Sequence, residues 1–304
     1  MRPIHKNRKI LETKHYERVF TRGAKQRFHF ENIYGLMLIV DLVLKMLFIK
    51  KIGLRNATEV GLNEVELGVK GLPRNFDGCR ILFITDMHLG AIDYLSENII
   101  NIAKNAEYDY CFLGGDYSLR LSAKEVGRQL GKIVSFLTTK SRVFGILGNY
   151  DIYQIAEQLN DFGVEMLLNE HVCLERGAER IYLVGVDDCS GFAAAELKEA
   201  EKGIPEGAVK IILSHPPELY KEAEQAGYSL YLAGHTHGGQ ICLPGGVAMV
   251  VRACIPRKLV KGEWRYRDMV GYTSCGVGTT GVPVRFFCPP EVALLTLRRD
   301  GNPG

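Results

Sequence analysis

Seven side chains that can bind metal ions are spread along this 304-residue chain, each shortly after an apolar run. They are Asp86, His88, Asp116, Asn149, His215, His235 and His237. Asp, Asn and neutral His together suit Mn²⁺, Fe or Zn²⁺, whereas an all-oxygen set would favour Mg²⁺ or Ca²⁺. Seven groups are too many for one ion but sufficient for two if a carboxylate bridges them. Two ions about 3.5–4 Å apart can bind both an attacking water and phosphoryl oxygens.

The apolar runs before these residues predict β-strands, which alternate with helical stretches as in an α/β or layered α+β domain. The predicted strands are 80–85, 108–113, 143–147, 164–168, 180–186, 209–213, 230–233 and 292–297. The predicted helices are 96–105, 123–138, 152–161, 193–202 and 218–226. Ligands of open α/β sheets bind in the crevice outside the carboxyl ends of the strands. The seven side chains are therefore expected to meet in one crevice.

Simpler explanations exist for single members of this set. Asp86, Asp116 and Asn149 could each cap a helix that follows a strand, and His215 could be a turn residue before two prolines. His235 and the histidine two residues after it alternate along an extended run, so their side chains point the same way. Capping explains each acidic or amide residue alone, whereas the combined set favours a metal site.

The polar residues form five ordered blocks: Asp-Met-His at 86–88, Gly-Asp at 115–116, Gly-Asn-Tyr-Asp at 148–151, His215, and Gly-His-Thr-His at 234–237. This order resembles the calcineurin-like metallophosphoesterases, whose shared blocks are D-x-H, G-D, G-N-H-[DE], H and G-H-x-H. The tail over 276–291 resembles a bacterial, membrane-associated branch that includes enzymes cleaving UDP-diacylglucosamine in lipid A synthesis. The resemblance covers residues 80–298 and implies a four-layer αββα sandwich with two mixed β-sheets, preceded here by an N-terminal apolar helix.

The resemblance also implies a role for each residue of the set. Asp86, His88 and His237 would bind the first ion. Asn149, His215 and His235 would bind the second, with Asp116 bridging the two. A water activated by both ions would attack phosphorus. The implied cofactors are two divalent metal ions, with Mn²⁺ favoured and Fe or Zn²⁺ as alternatives, and the implied activity is cleavage of a phosphodiester or pyrophosphate bond.

One block departs from the family pattern, because Tyr150 stands where the family has histidine. That histidine is thought to protonate the leaving group or to steady a phosphoryl oxygen, so Tyr150 joins Asn149 and Asp116 as an expected catalytic residue. A phenol donates hydrogen bonds but is a poor proton shuttle at neutral pH. Loss of a general acid costs about 10²–10⁴-fold with poor leaving groups, and much less when the leaving group is a stable anion. Tyr150 therefore favours anhydride or activated diester substrates over alkyl phosphomonoesters.

Four further charged residues are candidates for supporting roles. Asp151 is expected to cap or orient a loop rather than to bind metal. Asp187 and Asp188 either hydrogen-bond the histidines or lie in a solvated turn. Arg285 is a candidate contact for a substrate phosphate, although a structural salt bridge is favoured.

The N-terminal part differs from the rest of the chain. Residues 1–27 carry nine Lys or Arg residues against two glutamates, so a basic arm precedes a mildly acidic body. The apolar segment 33–49 contains Asp41 and Lys45 at a spacing that allows them to pair on a helix. We favour a helix lying in a membrane surface, with a short transmembrane span or a helix packed on the body as alternatives. The expected division is 1–55, a basic arm and membrane-associating helix, and 56–304, the catalytic domain.

Composition places the protein among ordinary globular proteins, with 46% hydrophobic and 24% charged residues. The acidic body argues against a nucleic-acid partner, and the eight scattered cysteines are expected to be reduced thiols. We expect a phosphate-containing substrate, lipid-linked in the favoured hypothesis, met at a membrane surface through residues 1–51. The cytoplasmic face is favoured over the exported one. The alternatives are a soluble nucleotide phosphodiesterase and a metal-binding scaffold with little activity.

Overall fold

The computed structural model describes residues 8–12, 30–92, 95–118, 123–251 and 253–300. Its first sheet has six strands. In spatial order they are β1 (Gly61–Val69), β14 (Glu291–Arg299), β2 (Arg80–Ile84), β3 (Tyr110–Leu113), β4 (Arg142–Gly145) and β5 (Glu165–Met166). β14 is antiparallel to β2, whereas β2 to β5 are parallel. The carboxyl ends of β2, β3 and β4 therefore lie at the same edge of the sheet.

The second sheet also has six strands. In spatial order they are β12 (Gly262–Tyr266), β13 (Met269–Thr273), β9 (Leu230–Ala233), β8 (Lys210–Leu213), β7 (Glu179–Gly185) and β6 (Glu170–Arg176). β13, β9, β8 and β7 are parallel, and the two edge strands run against them. A separate short hairpin consists of β10 (Cys242–Leu243) and β11 (Val247–Ala248).

Helices cover the outer face of each sheet. The first sheet carries α4 (Leu95–Asn105), α5 (Ala123–Lys140) and α6 (Tyr153–Asp161), and the second carries the short α7 (Leu197–Ala200) and α8 (Tyr220–Gln225). Alternate residues of β2 face opposite sides: Leu82 packs under the helices, and Phe83 packs between the two sheets. Strands buried on both faces read as continuous apolar runs. The expected four-layer αββα sandwich with two mixed sheets is confirmed.

Several strands and one helix differ from the sequence predictions. β1, β6 and β12 were not predicted because their solvent-facing positions carry Asn, Glu and Arg, as is common at sheet edges. β13, a buried strand inside the second sheet, and the two-residue strands of the β10–β11 hairpin were not predicted either. The helix predicted over 193–202 is wrong in extent, since only Leu197–Ala200 is helical. Ala193 has a left-handed φ of 50°, and the Asn169 side chain binds the carbonyl of Ala194 and the amide of Glu196. These bonds compete with the first helical turn.

The predicted apolar helix 33–49 corresponds to α2 (Phe30–Met46), which a turn at Phe48 joins to α3 (Lys50–Thr58). Asp41 pairs with Lys45 at 2.8 Å, as the spacing indicated. None of the helices in the described residues combines the length and apolar character needed to cross a bilayer. Residues 8–12 form a helical turn, α1, but most of the predicted basic arm lies outside the described residues. The division after residue 55 stays a prediction, and α3 runs across it.

All eight cysteines lie within the described residues and are free thiols. Cys242, Cys275 and Cys288 form a small buried cluster beneath the turn that follows His237. The sulfur atoms of Cys275 and Cys288 would both collide with a Cβ atom at Gly238, whose φ is 59°. The turn therefore requires glycine at this position for its conformation and for the space beneath it.

Candidate metal centre

The seven predicted residues converge where the two sheets meet at their carboxyl edges. The loops after β2, β3 and β4 supply Asp86, His88, Asp116 and Asn149, and the loops after β8 and β9 supply the three histidines. Backbone hydrogen bonds tie neighbouring loops together, from the Asp86 amide to the Gly115 carbonyl and from the His88 amide to the Asp116 carbonyl. The centre is thus built from both sheets, and its loops hold one another in place.

Asp86, His88 and His237 form a first group of side chains that could hold one metal ion. His88 Nε2 lies 3.1 Å from His237 Nε2, and Asp86 Oδ1 lies 3.4 Å from His237 Nε2. Asp86 and His88 are fully buried, and His237 is 4% exposed. Three potential ligand atoms thus converge in a site with little access to bulk water.

Asp116, His215 and His235 form a second group that could hold another ion. His235 Nδ1 lies 2.9 Å from Asn149 Oδ1, which adds the amide oxygen to this group. Asp116 Oδ2 lies 3.1 Å from His215 Nε2 and 3.6 Å from His88 Nε2 of the first group. This carboxylate therefore stands between the two groups, where the resemblance implied a bridging ligand. Metal ligation by these residues stays a prediction.

The buried donors fit divalent cations chemically. His215 Nε2 is buried and makes no hydrogen bond of acceptable geometry within the described part of the chain. A buried polar atom without a partner is costly, and a cation would satisfy it. Burial lowers the pKa of His88 and His237, so both rings are held in the neutral form that binds metals.

His215 and Asp116 form a coupled pair. Burial disfavours charge on His215, but the Asp116 carboxylate outweighs burial and raises the pKa of His215 to about 10. Burial likewise opposes the charge of Asp116, yet His215 and His88 hold the pKa of that carboxyl below its usual range. Because a ligand histidine must be neutral, cation binding here would displace the proton of His215.

Backbone strain is concentrated on the same residues. The φ angles are 54° at Asp86, 41° at His88, 55° at Asp116, 66° at His235 and 50° at His237. Left-handed backbone is uncommon for residues other than glycine. It costs of order 1–3 kcal/mol per residue and persists only where the surroundings enforce it. Five strained residues in one cluster are typical of a functional site.

Asp151 orients the loops rather than contributing to either metal-binding group. Its Oδ2 accepts hydrogen bonds from the amides of Asp116 and Gly148 at 2.7 and 2.8 Å, and its Oδ1 accepts one from the Tyr117 amide at 2.9 Å. Burial, followed by the charge of Asp116, raises the pKa of Asp151 to about 7. This carboxyl therefore joins the loop after β3 to the loop after β4, which is the orienting role expected for it.

Tyr150 lies at the mouth of the centre. Its side chain is 45% exposed, and its ring meets the His88 ring edge-on with centroids 5.3 Å apart. The Tyr150 amide donates a 2.9 Å hydrogen bond to Asp116 Oδ1. The residue is thus anchored to the Asp116 carboxylate through its backbone, while its half-exposed ring lies against His88 of the first group.

The predictions for Arg285, Asp187 and Asp188 need correction. Arg285 is fully buried and donates to the carbonyls of Cys275, Gly276, Gly278 and Cys288, so it organises the 275–288 loop and forms no salt bridge within the described residues.

Asp187 and Asp188 are buried, not solvated, and neither hydrogen-bonds a histidine among the residues that the structure describes. Asp187 pairs with Arg8 at 2.6 Å. Asp188 accepts bonds from the amides of Ser190 and Phe192 and so closes the following turn.

Arg8 is a supporting residue that the sequence did not reveal. It is buried, and besides Asp187 it donates to the carbonyls of Gly148 and Asp151, on either side of Asn149 and Tyr150. Glu12, one turn later, accepts a 2.7 Å hydrogen bond from the Tyr153 amide at the start of α6. The partners lie more than 130 residues away along the chain, so no local pattern could indicate them. The N-terminal turn α1 thus braces the loop after β4.

We expect Arg8→Met to destabilise the fold by about 3–5 kcal/mol, because it leaves Asp187 buried without its partner. Burial already raises the pKa of Asp187, against the effect of Arg8, and losing Arg8 raises it further. The loss of folding stability in Arg8→Met, relative to the wild-type protein, should therefore grow as pH rises above the ordinary aspartate range and shrink as pH falls. Urea unfolding at several pH values measures this, with exposed Lys9→Met as the matched control. Equal stability of the two variants would contradict the role assigned to Arg8.

Most of the chain is similar to known proteins. A profile of the calcineurin-like phosphoesterases matches residues 79–239, which include all seven converging residues. The uncharacterized metallophosphoesterase YkoQ of Bacillus subtilis is 28% identical over 256 residues, covering 79% of this chain and 91% of that protein. Phosphodiesterase YaeI of Escherichia coli is 28% identical over 235 residues, covering 72% of this chain and 82% of that protein. A transmembrane protein with metallophosphoesterase domain from Danio rerio is 27% identical over 261 residues, covering 78% and 57%.

Proposed function

This chain belongs to the calcineurin-like phosphoesterase family, and we propose that it hydrolyses a phosphodiester or pyrophosphate bond at a centre of two divalent metal ions. Family membership and the relatives named metallophosphoesterase and phosphodiesterase make it a metal-dependent phosphoesterase. The observation that carries the proposal is the position of Asp116, whose Oδ2 lies within 3.6 Å of a histidine from each group. Mn²⁺ is the proposed metal, because the donor set mixes imidazole with oxygen.

Asp116, Asn149 and Tyr150 have different roles in the proposed reaction. A pair of divalent ions, when bound, lowers the pKa of a water and neutralises charge on phosphoryl oxygens. Asp116 supplies negative charge to both groups, and Asn149 supplies a neutral oxygen to one of them. The Tyr150 phenol can donate a hydrogen bond, but a phenol is a weaker general acid than the imidazole expected at this position from the family pattern. The leaving group must therefore depart as a stable anion, such as a phosphate monoester or a phenolate.

We expect the leaving group to control the rate. The wild-type protein should hydrolyse bis-p-nitrophenyl phosphate, which releases a phenolate, far faster than a diester that releases an alkoxide. Tyr150→His should raise the alkoxide reaction by roughly 10–100-fold and change the phenolate reaction by less than about threefold, because only the first needs an acid. Steady-state kinetics of both substrates measure this, with Tyr150→Phe as the control that restores no acid. A similar gain on both substrates would contradict the argument.

We further propose that the substrate is lipid-linked or nucleotide-linked and is met at a membrane surface, on its cytoplasmic face, through residues 1–51. Exposed apolar side chains on α2 and in the turn after it support this, among them Met46 of α2 and Phe48 of the turn, which is 89% exposed. The exposed Lys45 and Lys51 beside them would favour an anionic surface. The free cysteines suit the cytoplasmic side, and the relative from Danio rerio is named as a transmembrane protein.

The test is metal-dependent release of UMP from UDP-diacylglucosamine by the Mn²⁺-loaded protein, alongside turnover of bis-p-nitrophenyl phosphate. Release of UMP together with diester turnover supports the full proposal. Diester turnover without UMP release removes this lipid-linked nucleotide as substrate and favours the soluble nucleotide phosphodiesterase. Absence of both reactions would mean that the protein is a metal-binding scaffold, which would overturn the proposed function.

A further inference from the structure

An apolar groove of about 540 Å³ adjoins the metal centre. Its floor includes His235 and His237, one residue from each metal-binding group. Its volume lies within the range of about 300–1,000 Å³ found for small-molecule pockets. We call it the α2 groove, because α2 forms one wall. A molecule lying in the α2 groove would reach the two histidines directly.

Much of the lining of the α2 groove is apolar and exposed. Val43 of α2 and Leu47, in the turn that follows α2, line the groove and are 45% and 60% exposed. Met249 and Val250, which directly follow the β10–β11 hairpin, and Phe287 also line the groove, and each is more than half exposed. Soluble proteins rarely leave a contiguous apolar surface of this kind without an interaction that covers it.

The polar side chains on the floor of the groove are engaged within the chain. Gln240 donates to the carbonyls of Thr280 and Val282 and accepts from the Thr280 amide. The Thr236 hydroxyl donates to the Val260 carbonyl at 2.6 Å. A ligand in the groove is therefore offered hydrocarbon side chains together with the imidazoles of His235 and His237. This arrangement suits a molecule with a long apolar part and a polar group that lies at the metal centre.

Two exposed basic residues lie close to residues of the groove lining. Lys51 on α3 follows Ile49 of the lining by two residues. Arg257 donates to the Ala248 carbonyl, next to Met249 of the lining. Asp41, which lies within α2 next to the lining residue Val40, is neutralised by Lys45 and Lys50. An apolar slot with basic residues close to its lining is complementary to an amphiphile that carries negative charge.

We propose that the α2 groove binds an acyl chain of a lipid substrate whose phosphate lies at the metal centre. The inference rests on the proposed phosphoesterase function and adds a binding site for the hydrocarbon part of the substrate. The continuity of the groove with His235 and His237 selects a substrate chain over an unrelated ligand. The groove wall, rather than the metal centre, then sets the preference for chain length.

The experiment uses p-nitrophenyl alkyl phosphate diesters that differ only in their alkyl chain, from methyl to octyl, below their micelle concentrations. Each reaction releases the same phenolate, so differences in kcat/KM between substrates report the contact of the alkyl chain with the groove. The full-length, Mn²⁺-loaded protein should gain on the order of tenfold in kcat/KM for every two methylenes. Val43→Glu on α2 and Met249→Glu after the β10–β11 hairpin should each reduce the octyl-to-methyl ratio at least tenfold. The control is Leu42→Glu, since Leu42 is 58% exposed on α2 but does not line the groove.

The outcomes separate this inference from the proposed function. A steep dependence on chain length that both groove variants flatten and Leu42→Glu preserves would support the acyl site. A flat dependence with normal turnover of the methyl diester overturns the acyl site, in favour of another occupant such as a second copy of the chain, and leaves the phosphoesterase function intact. An equal reduction of the octyl-to-methyl ratio in Leu42→Glu and Val43→Glu also overturns the acyl site. General contact of the alkyl chain with the protein surface would then explain the dependence on chain length. No turnover of any diester would overturn the proposed function itself.

Discussion

Asp116→Asn is expected to lower kcat for bis-p-nitrophenyl phosphate by on the order of 10³, about 4 kcal/mol of lost transition-state stabilisation. The substitution keeps the shape of the side chain and an oxygen that can accept from the Tyr150 amide. It removes the negative charge that lies between His88 and His215. The fold should therefore survive, while the affinity for the second metal ion falls.

The control for this prediction is Asp161→Asn, since Asp161 is exposed at the end of α6. Both proteins are loaded with Mn²⁺ under the same conditions, and circular dichroism checks that both are folded. Metal content and steady-state rates are then compared. If Asp116→Asn retained two tightly bound ions and more than a tenth of the wild-type rate, the bridging role of Asp116 would be wrong.

Gly148→Ala is expected to reduce kcat at least 100-fold, because it disturbs the same carboxylate by steric means. A Cβ atom at Gly148 would overlap the side chain and the amide nitrogen of Asp116. The Gly148 amide also donates to Asp151, so a shift of this residue would be passed to the loop after β3. Displacement of a catalytic group by about 1 Å can cost 10²-fold in rate. The crowding should also cost about 1–3 kcal/mol of folding stability.

Gly61→Ala is the matched control, because nothing lies within 4 Å of a Cβ atom added at the start of β1. Rates and thermal unfolding of the two variants are compared with those of the wild-type protein. We expect a large loss of kcat and of folding stability in Gly148→Ala and almost none in Gly61→Ala. A Gly148→Ala protein with normal kcat would show that the loops after β3 and β4 are less tightly packed than the structure indicates.

Local sequence patterns were sufficient to predict the centre of the fold. β2, β3, β4, β8 and β9 are short apolar runs, and each is followed by a polar residue of the set. Since parallel strands present their carboxyl ends at one edge, the order of the blocks alone predicted that these residues meet. Each strand and the polar residue that follows it are neighbours along the chain. Both could therefore be recognised from the local sequence.

Features that depend on distant parts of the chain were not predictable in this way. The pairing of Arg8 with Asp187 joins positions 179 residues apart, and nothing in the basic arm marks Arg8 as buried. The left-handed backbone of Asp86 and His88 is enforced by neighbouring loops, not by the residues themselves. Arg285 was expected in a salt bridge because arginine usually pairs with carboxylates. In the structure its guanidinium is instead surrounded by backbone carbonyls of the 275–288 loop. Each of these features arises from tertiary contacts that override local preference.

In the proposed centre, the Asp116 carboxylate stands between two metal ions. Crystals of the wild-type protein grown with Mn²⁺ should show two anomalous-scattering peaks about 3.5–4 Å apart. One peak should lie beside Asp86, His88 and His237, the other beside Asn149, His215 and His235, with Asp116 touching both. A single peak, or two peaks that do not share Asp116, would contradict the account.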